Sequence, residues 1–359
     1  MTTDNIQAQQ PPPLISPEVH PDKSVTFRLR APNAQKVMLA REGASTIAMD
    51  KNEEGIWSIT TNPLEPDIYG YAFVADGVNL FDPSNPVMKS NLIYTQSLLY
   101  VPGPASLPWE LNDVPHGIVH HHRYKSGVAG DNRDFYVYTP PGYDPLAERK
   151  YPVLYLLHGF SDDASAWTAV GRAELILDNL IAEKKARPMI VVMPLGYGAP
   201  EIVSRTGQGL RNGDLRNRNY ERFREALLTE VIPHVEKSYR IDADRDSRAI
   251  AGLSMGGAES LITGLNALGR FAWIGAFSSG GLDEDFDSQF PSLSSEANKQ
   301  LKLLWIACGK EDFLIGANRR LNSWLDSKGV QHAYIETAGS HTWMVWRRNL
   351  ATLVRLLFQ

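Results

Sequence analysis

The clearest chemistry in this 359-residue chain lies in Gly252-Leu253-Ser254-Met255-Gly256, followed by Gly257. These residues fit the pattern G-x-S-x-G. A short apolar run, Ala249-Ile250-Ala251, precedes them, and a helical pattern follows from about 256. That context predicts a strand, a sharp turn and a helix. A serine hydroxyl is a poor nucleophile in water and has to be presented where a base can reach it. On such a turn Gly252 and Gly256 remove Cβ atoms that would collide. The free N–H groups at the start of the helix face any developing negative charge. Ser254 is therefore the candidate nucleophile.

A serine of this kind needs a base and an orienting acid, in the chain order serine, acid, histidine. His341 stands in the small-residue segment Ala338-Gly339-Ser340-His341-Thr342-Trp343 and is the candidate base; His332, at the start of an expected strand, reads as a surface residue. The strand Leu303–Ala307 runs into Cys308-Gly309-Lys310-Glu311-Asp312. Asp312 and Glu311 both fall at a strand's C-terminal end, where sheets of this kind place their sites; Asp283 and Asp285 are weaker rivals. Cys308 reads as a packed residue. The oxyanion of an acyl transfer needs two backbone donors. The N–H of Met255 is one candidate, and that of Phe160, in His158-Gly159-Phe160-Ser161, is the other. His158, at a strand end before a glycine, reads as a loop-fixing residue and not as the base.

Other residues carry weaker readings. The segment 196–219, rich in glycine and arginine, is expected to be a long loop able to overhang the site, with Arg205 a candidate partner for a phenolic or uronic acid group; an ordinary solvated loop is the alternative. Trp343 and Trp167 are candidates for substrate contact, with core packing as the alternative. Adjacent side chains on a strand point to opposite faces, so His120, His121 and His122 cannot converge on a metal. No metal or organic cofactor is expected.

The elements that must position these groups follow from periodicity. Residues 1–17 are polar and proline-rich and are expected to be a flexible leader; they are not an intact signal peptide. Over 18–101, segments 24–30, 36–40, 56–60 and 68–75 alternate at period two between turn clusters, which predicts a β-sandwich. Residues 102–115 carry four prolines and read as a linker. From 116 to 359, buried apolar runs such as Val153–Leu157 and Met189–Met193 alternate with helical patterns, which predicts a largely parallel sheet with helices on both faces.

Composition narrows the field. Hydrophobic residues make up 43% and charged residues 21%, enough apolar material to build cores. A net charge of −5 argues against nucleic-acid binding driven by counterion release. No run reaches the roughly 18–20 continuous apolar residues of a membrane span. The single cysteine rules out an intrachain disulfide and a cysteine-rich metal site.

Taken together, Tyr138-Thr139-Pro140-Pro141-Gly142-Tyr143, Leu157-His158-Gly159, Gly252 to Gly257, Cys308 to Asp312 and Gly339 to Trp343 resemble carbohydrate esterase family one, the feruloyl and acetyl xylan esterases, with esterase D and siderophore esterases nearby. The resemblance covers 116–359 and implies an α/β-hydrolase domain. It puts the triad on Ser254, Asp312 and His341 and the oxyanion donors on Phe160 and Met255; Thr342 stands where the family often has aspartate. The first unit resembles the immunoglobulin-like early-set domains attached to many such esterases. The expected function is hydrolysis of feruloyl or acetyl esters on plant xylan through an acyl-enzyme, by a secreted or periplasmic protein, with a homodimer left open. A siderophore esterase on the same scaffold is one alternative, and a non-catalytic carbohydrate-binding protein is another.

Overall fold

The computed structural model describes residues 13–204, 206 and 208–359. The chain forms two units, Met1–Met88 with Gln96–Pro102, and Lys89–Thr95 with Gly103–Gln359.

The first unit is antiparallel throughout. One sheet joins Glu18–Val19, Val25–Arg30, Ile56–Thr60 and Asp50–Lys51 in that order. The other is built around Asp67–Ala75, which pairs with Val37–Arg41 on one side and Gln96–Val101 on the other. Val25, Phe27 and Leu29 alternate inward from the first sheet, and Phe27 meets Tyr71 of the second edge-on at 4.9 Å. Apolar rings interleaved from two sheets make the core, as the period-two pattern requires. The leader expected over 1–17 lies outside the described residues as far as Pro12. Its end is tied down: Ser16 is buried and donates to Asp82 Oδ2 at 2.6 Å.

The second unit carries an eight-stranded sheet: β1 (Ile118–Lys125), β2 (Asn132–Thr139), β3 (Val153–Leu157), β4 (Ile190–Pro194), β5 (Arg248–Leu253), β6 (Trp273–Phe277), β7 (Leu303–Gly309) and β8 (Ala333–Thr337). Their order is β1-β2-β4-β3-β5-β6-β7-β8. The first two strands are antiparallel additions, and the pairs from β4 to β8 are parallel. Five principal helices accompany it: α1 (Ala173–Ala182), α2 (Gly213–Ala226), α3 (Met255–Leu265), α4 (Ile315–Ser327) and α5 (Trp343–Leu353). Neighbouring residues of β6 show that helices cover both faces. Ile274 packs toward Gly264 of α3, while at Gly275, pointing the other way, an added Cβ would meet Leu353 of α5 at 2.6 Å. β3 to β6 are buried along their full length, so their sequences are continuous apolar runs and not alternating ones. This is the α/β-hydrolase arrangement. Among the described residues, no helix is long and apolar enough to cross a membrane.

Two expectations change. The proline-rich 102–115 is not a free linker, because Trp109 and Glu110 are buried. Asn179 of α1 donates to the carbonyls of Pro108 and Glu110, both at 2.8 Å, satisfying backbone that the prolines leave without sheet partners. The expected loop 196–219 is largely structured. A 3₁₀ turn spans Pro200–Ile202, a short helix Gln208–Arg211, and α2 begins at Gly213, inside the expected loop. Asn212 starts α2 by accepting from the Leu215 N–H at 3.1 Å. His120, His121 and His122 turn to separate partners, Thr139, Asp134 and Tyr239.

Candidate active site

The turn between β5 and α3 is built as the spacing requires. Ser254 has φ +52° and ψ −115°, a region that costs a non-glycine residue about 1–3 kcal/mol. Backbone bonds hold it there: its N–H donates to Phe277 O at 2.8 Å, and its carbonyl accepts from Gly280 N–H at 3.0 Å. The flanking glycines are obligatory. A Cβ on Gly252 would lie 2.4 Å from Gly256 O, and one on Gly256 would lie 2.4 Å from His158 O. Both obstacles are backbone and cannot rotate away. Gly256→Ala is therefore expected to cost about 2–4 kcal/mol, read as a lowered unfolding midpoint against wild type.

His341 stands on the segment between β8 and α5. Its Nε2 accepts from Ser254 Oγ at 3.0 Å, and its Nδ1 donates to Asp312 Oδ2 at 2.8 Å. Asp312 lies just beyond β7, with its side chain fully buried and its Oδ1 accepting from Leu314 N–H at 2.8 Å. Burial alone would raise its pKa. The bonds and charge of His341, with help from the Leu314 N–H and the Ser278 hydroxyl, more than offset burial and hold the carboxyl below the usual range.

The rival acids are occupied elsewhere. Glu311 accepts from Gly339 N–H at 2.6 Å, bracing the segment that carries His341. Asp283 pairs with Arg216, and Asp285 caps the short helix Phe286–Gln289. The frame around the imidazole includes Ser278, which the sequence does not single out, and Trp346, a tryptophan expected to pack in the core. Trp346 lies edge-on to His341 at 4.8 Å and donates through Nε1 to Ser278 Oγ. Ser278, the residue after β6, is in a left-handed conformation, φ +48°. Its signal was the run of small residues, Ser278-Ser279-Gly280-Gly281, at a strand's C-terminal end.

The segment His158–Ser161 lies against the nucleophile: a Cβ on Gly159 would come within 3.4 Å of Ser254 Cβ. The buried His158 donates from Nδ1 to Gly159 O and accepts at Nε2 from Gly196 N–H; burial lowers its pKa, outweighing the bond to Gly159, and the two bonds fix the loop. Phe160 follows directly. Met255 is the first residue of α3, where an N–H has no intrahelical acceptor.

Behind Phe160 the backbone turns left-handed at Ser161, φ +72°, and Asp162 is buried with its pKa raised by that burial. Lys89–Thr95 braces this turn. The Asn91 amide donates to Ser161 Oγ at 3.0 Å and Asp162 Oδ1 at 2.9 Å, Leu92 N–H donates to Ser161 O at 2.7 Å, and Lys89 Nζ is 3.8 Å from Asp162. Asn91→Ala is expected to lower kcat about tenfold with KM nearly unchanged, because the loop bearing Phe160 loses its support while Ser254, His341 and Asp312 keep theirs. Steady-state kinetics on a single ester check this.

Trp167 and Trp343 are not at a substrate wall. They are 0% and 1% exposed and pack edge-on to each other at 5.1 Å, with Trp167 Nε1 bonded to Leu157 O. The apolar space between α1, α5 and the sheet takes them up, which corrects the expectation of substrate contact. Arg205 lies outside the described residues.

The family Esterase matches residues 126–357, which include Ser254, Asp312 and His341. The chain belongs to that esterase family. Among curated proteins, the chain is 28% identical over 351 residues to an endo-1,4-beta-xylanase/feruloyl esterase of Xylanibacter ruminicola, a match covering 96% of the chain but 46% of that protein. The chain thus spans about half the length of that relative. An acetyl esterase of Caldicellulosiruptor saccharolyticus is 25% identical over 55% of the chain and 80% of its own length. Among solved structures, the enterobactin esterase of Shigella flexneri aligns with TM-score 0.67 at 19% identity, over 94% of this chain and 93% of its own. A ferulic acid esterase of Anaeromyces mucronatus aligns with TM-score 0.61 at 24% identity, over 71% and 96%. At these identities the two structural likenesses establish the fold alone.

Proposed function

We propose that the protein is a serine carboxylic-ester hydrolase acting through an acyl-enzyme, with feruloyl or acetyl esters of plant xylan as substrates. The observation that carries this reading is the continuous line Asp312–His341–Ser254, with bonds of 2.8 and 3.0 Å. Ser254 Oγ attacks the ester carbonyl as its proton passes to His341 Nε2. Asp312 keeps the imidazole proton on Nδ1 and stabilises the cation that forms. The N–H groups of Phe160 and Met255 receive the oxyanion. When the tetrahedral intermediate collapses, His341 gives its proton to the departing alcohol. Water then repeats the sequence on the acyl-serine, releasing the acid. The scheme uses no metal or organic cofactor.

The xylanase/feruloyl esterase match along nearly the whole chain supports the substrate class. Polymers of this kind are met outside the cytoplasm, so a secreted or periplasmic location goes with the reading. The likeness to the enterobactin esterase over both units favours a second reading, cleavage of a catechol lactone on the same scaffold. A panel of methyl ferulate, acetylated xylan and a catechol lactone tests the two. Turnover of the first or second is the expected result; turnover of the lactone alone would transfer the assignment to the second reading.

A further inference from the structure

The imidazole of His341 contacts two aromatic rings of opposite exposure. Trp346 backs it from the interior. Phe313 also lies against it, with ring centroids 4.6 Å apart and planes tilted by 50°, and yet Phe313 is 77% exposed. Leu314, the next residue, reaches toward the nucleophile: a Cβ built on Gly280 would be 2.7 Å from Leu314 Cδ1 and 3.7 Å from Ser254 Oγ. The turn that supplies Asp312 thus sets one apolar side chain near Ser254 and a flat, open ring beside the base.

A lone exposed phenylalanine needs no explanation. The position of this one is informative because the reaction decides which half of an ester comes near it. The base must hand its proton to the leaving oxygen, so that oxygen lies about 3 Å from His341 Nε2 at the moment of departure. The alcohol's carbon skeleton therefore extends on the imidazole side. The acyl chain leaves the carbonyl carbon in another direction. Phe313, in ring contact with that imidazole, offers an exposed apolar face there. A sugar presents a face of C–H bonds, slightly positive, that packs on the negative face of an aromatic ring while its hydroxyls stay in water.

We propose that Phe313 is the platform of a leaving-group subsite that binds a sugar ring of the alcohol half of the ester. The proposal rests on the serine-esterase reading above and adds where the sugar sits. It concerns binding, so its effect belongs in KM for esters that carry a sugar and not in the chemistry of simple esters.

The test is steady-state kinetics of the full chain, wild type and the variants Phe313→Ala, Phe313→Leu and Phe313→Tyr. The substrate pair shares one acyl group, methyl ferulate against 5-O-feruloyl-arabinofuranose; methyl acetate against acetylated xylobiose forms the same pair for the acetyl group. The alanine and leucine variants are expected to raise KM for the sugar ester about tenfold, while the methyl ester changes by less than about twofold and the tyrosine variant behaves as wild type. The leucine variant still covers the imidazole but lacks a ring face, so it separates stacking from mere shielding of the base. Equal losses on both esters, or no loss on either, would overturn the subsite. Wild-type protein that hydrolyses none of the four esters would instead overturn the parent reading.

Discussion

Ser254→Ala is expected to lower kcat by about 10⁶-fold, to the residual level left by binding and oxyanion stabilisation. The size follows from geometry. His341 Nε2 is bonded to Ser254 Oγ, so removing that oxygen removes both the attacking atom and the proton the base is set to take. The fold should be untouched. The turn is held by backbone bonds to Phe277 and Gly280, and alanine pays no more than serine for φ +52°. The variant should therefore unfold at the wild-type midpoint while hydrolysing nothing measurable. Substantial remaining turnover would take the nucleophile's role away from Ser254.

Asp312→Asn is expected to cost about 10⁴-fold in kcat, the scale of a triad whose histidine is held in the wrong tautomer. Both oxygens of Asp312 accept hydrogen bonds, Oδ2 from His341 Nδ1 and Oδ1 from the Leu314 N–H. A carboxamide has one acceptor and cannot serve both. If its oxygen stays with Leu314, its NH₂ faces the imidazole, Nδ1 has to accept, and the proton moves to Nε2, where it blocks the transfer from Ser254. Glu311→Gln should change kcat by no more than about threefold, because its partner is Gly339 N–H and the amide oxygen can still accept. The reverse ranking of the two variants would assign the acid to Glu311. Since the environment of Asp312 holds its pKa below the ordinary value, the carboxylate persists into acid where a solvated aspartate is already protonated. Its stabilising effect is present above the unfolded-state pKa and is lost only as pH falls through the lower, folded-state value.

Local pattern carried much of this arrangement. β3 is the expected run Val153–Leu157, and the strand Ile56–Thr60 of the first unit has the expected ends, because buried or alternating apolar residues between turn residues leave little freedom. The nucleophile turn was legible for the same reason: three residue types at fixed spacing define it. What escaped notice depends on contacts between residues distant in sequence. Asn91 lies 70 positions from Ser161, and nothing around Lys89–Thr95 announces that it supports the loop bearing Phe160. The start of α2 was hidden because Gly213, Arg216 and Arg218 give it a polar, loop-like composition, and its helical state rests on the Asn212 cap and on packing of Tyr220 and Phe223. Trp343 shows the converse limit. Its nearness in sequence to His341 suggested a substrate wall, but the first turn of α5 rotates it into the core, while the exposed ring beside the base belongs to Phe313, next to the acid.

An acyl-enzyme requires Ser254 Oγ to form a covalent bond at an electrophilic centre. Intact-mass spectrometry after treatment with a serine-directed phosphonate, followed by peptide mapping, reads that reactivity at the residue itself. One phosphonyl group per chain, located on the peptide containing Ser254 and absent from Ser254→Ala, is the predicted result. An unmodified protein, or a label on any other residue that survives the Ser254→Ala substitution, would contradict it.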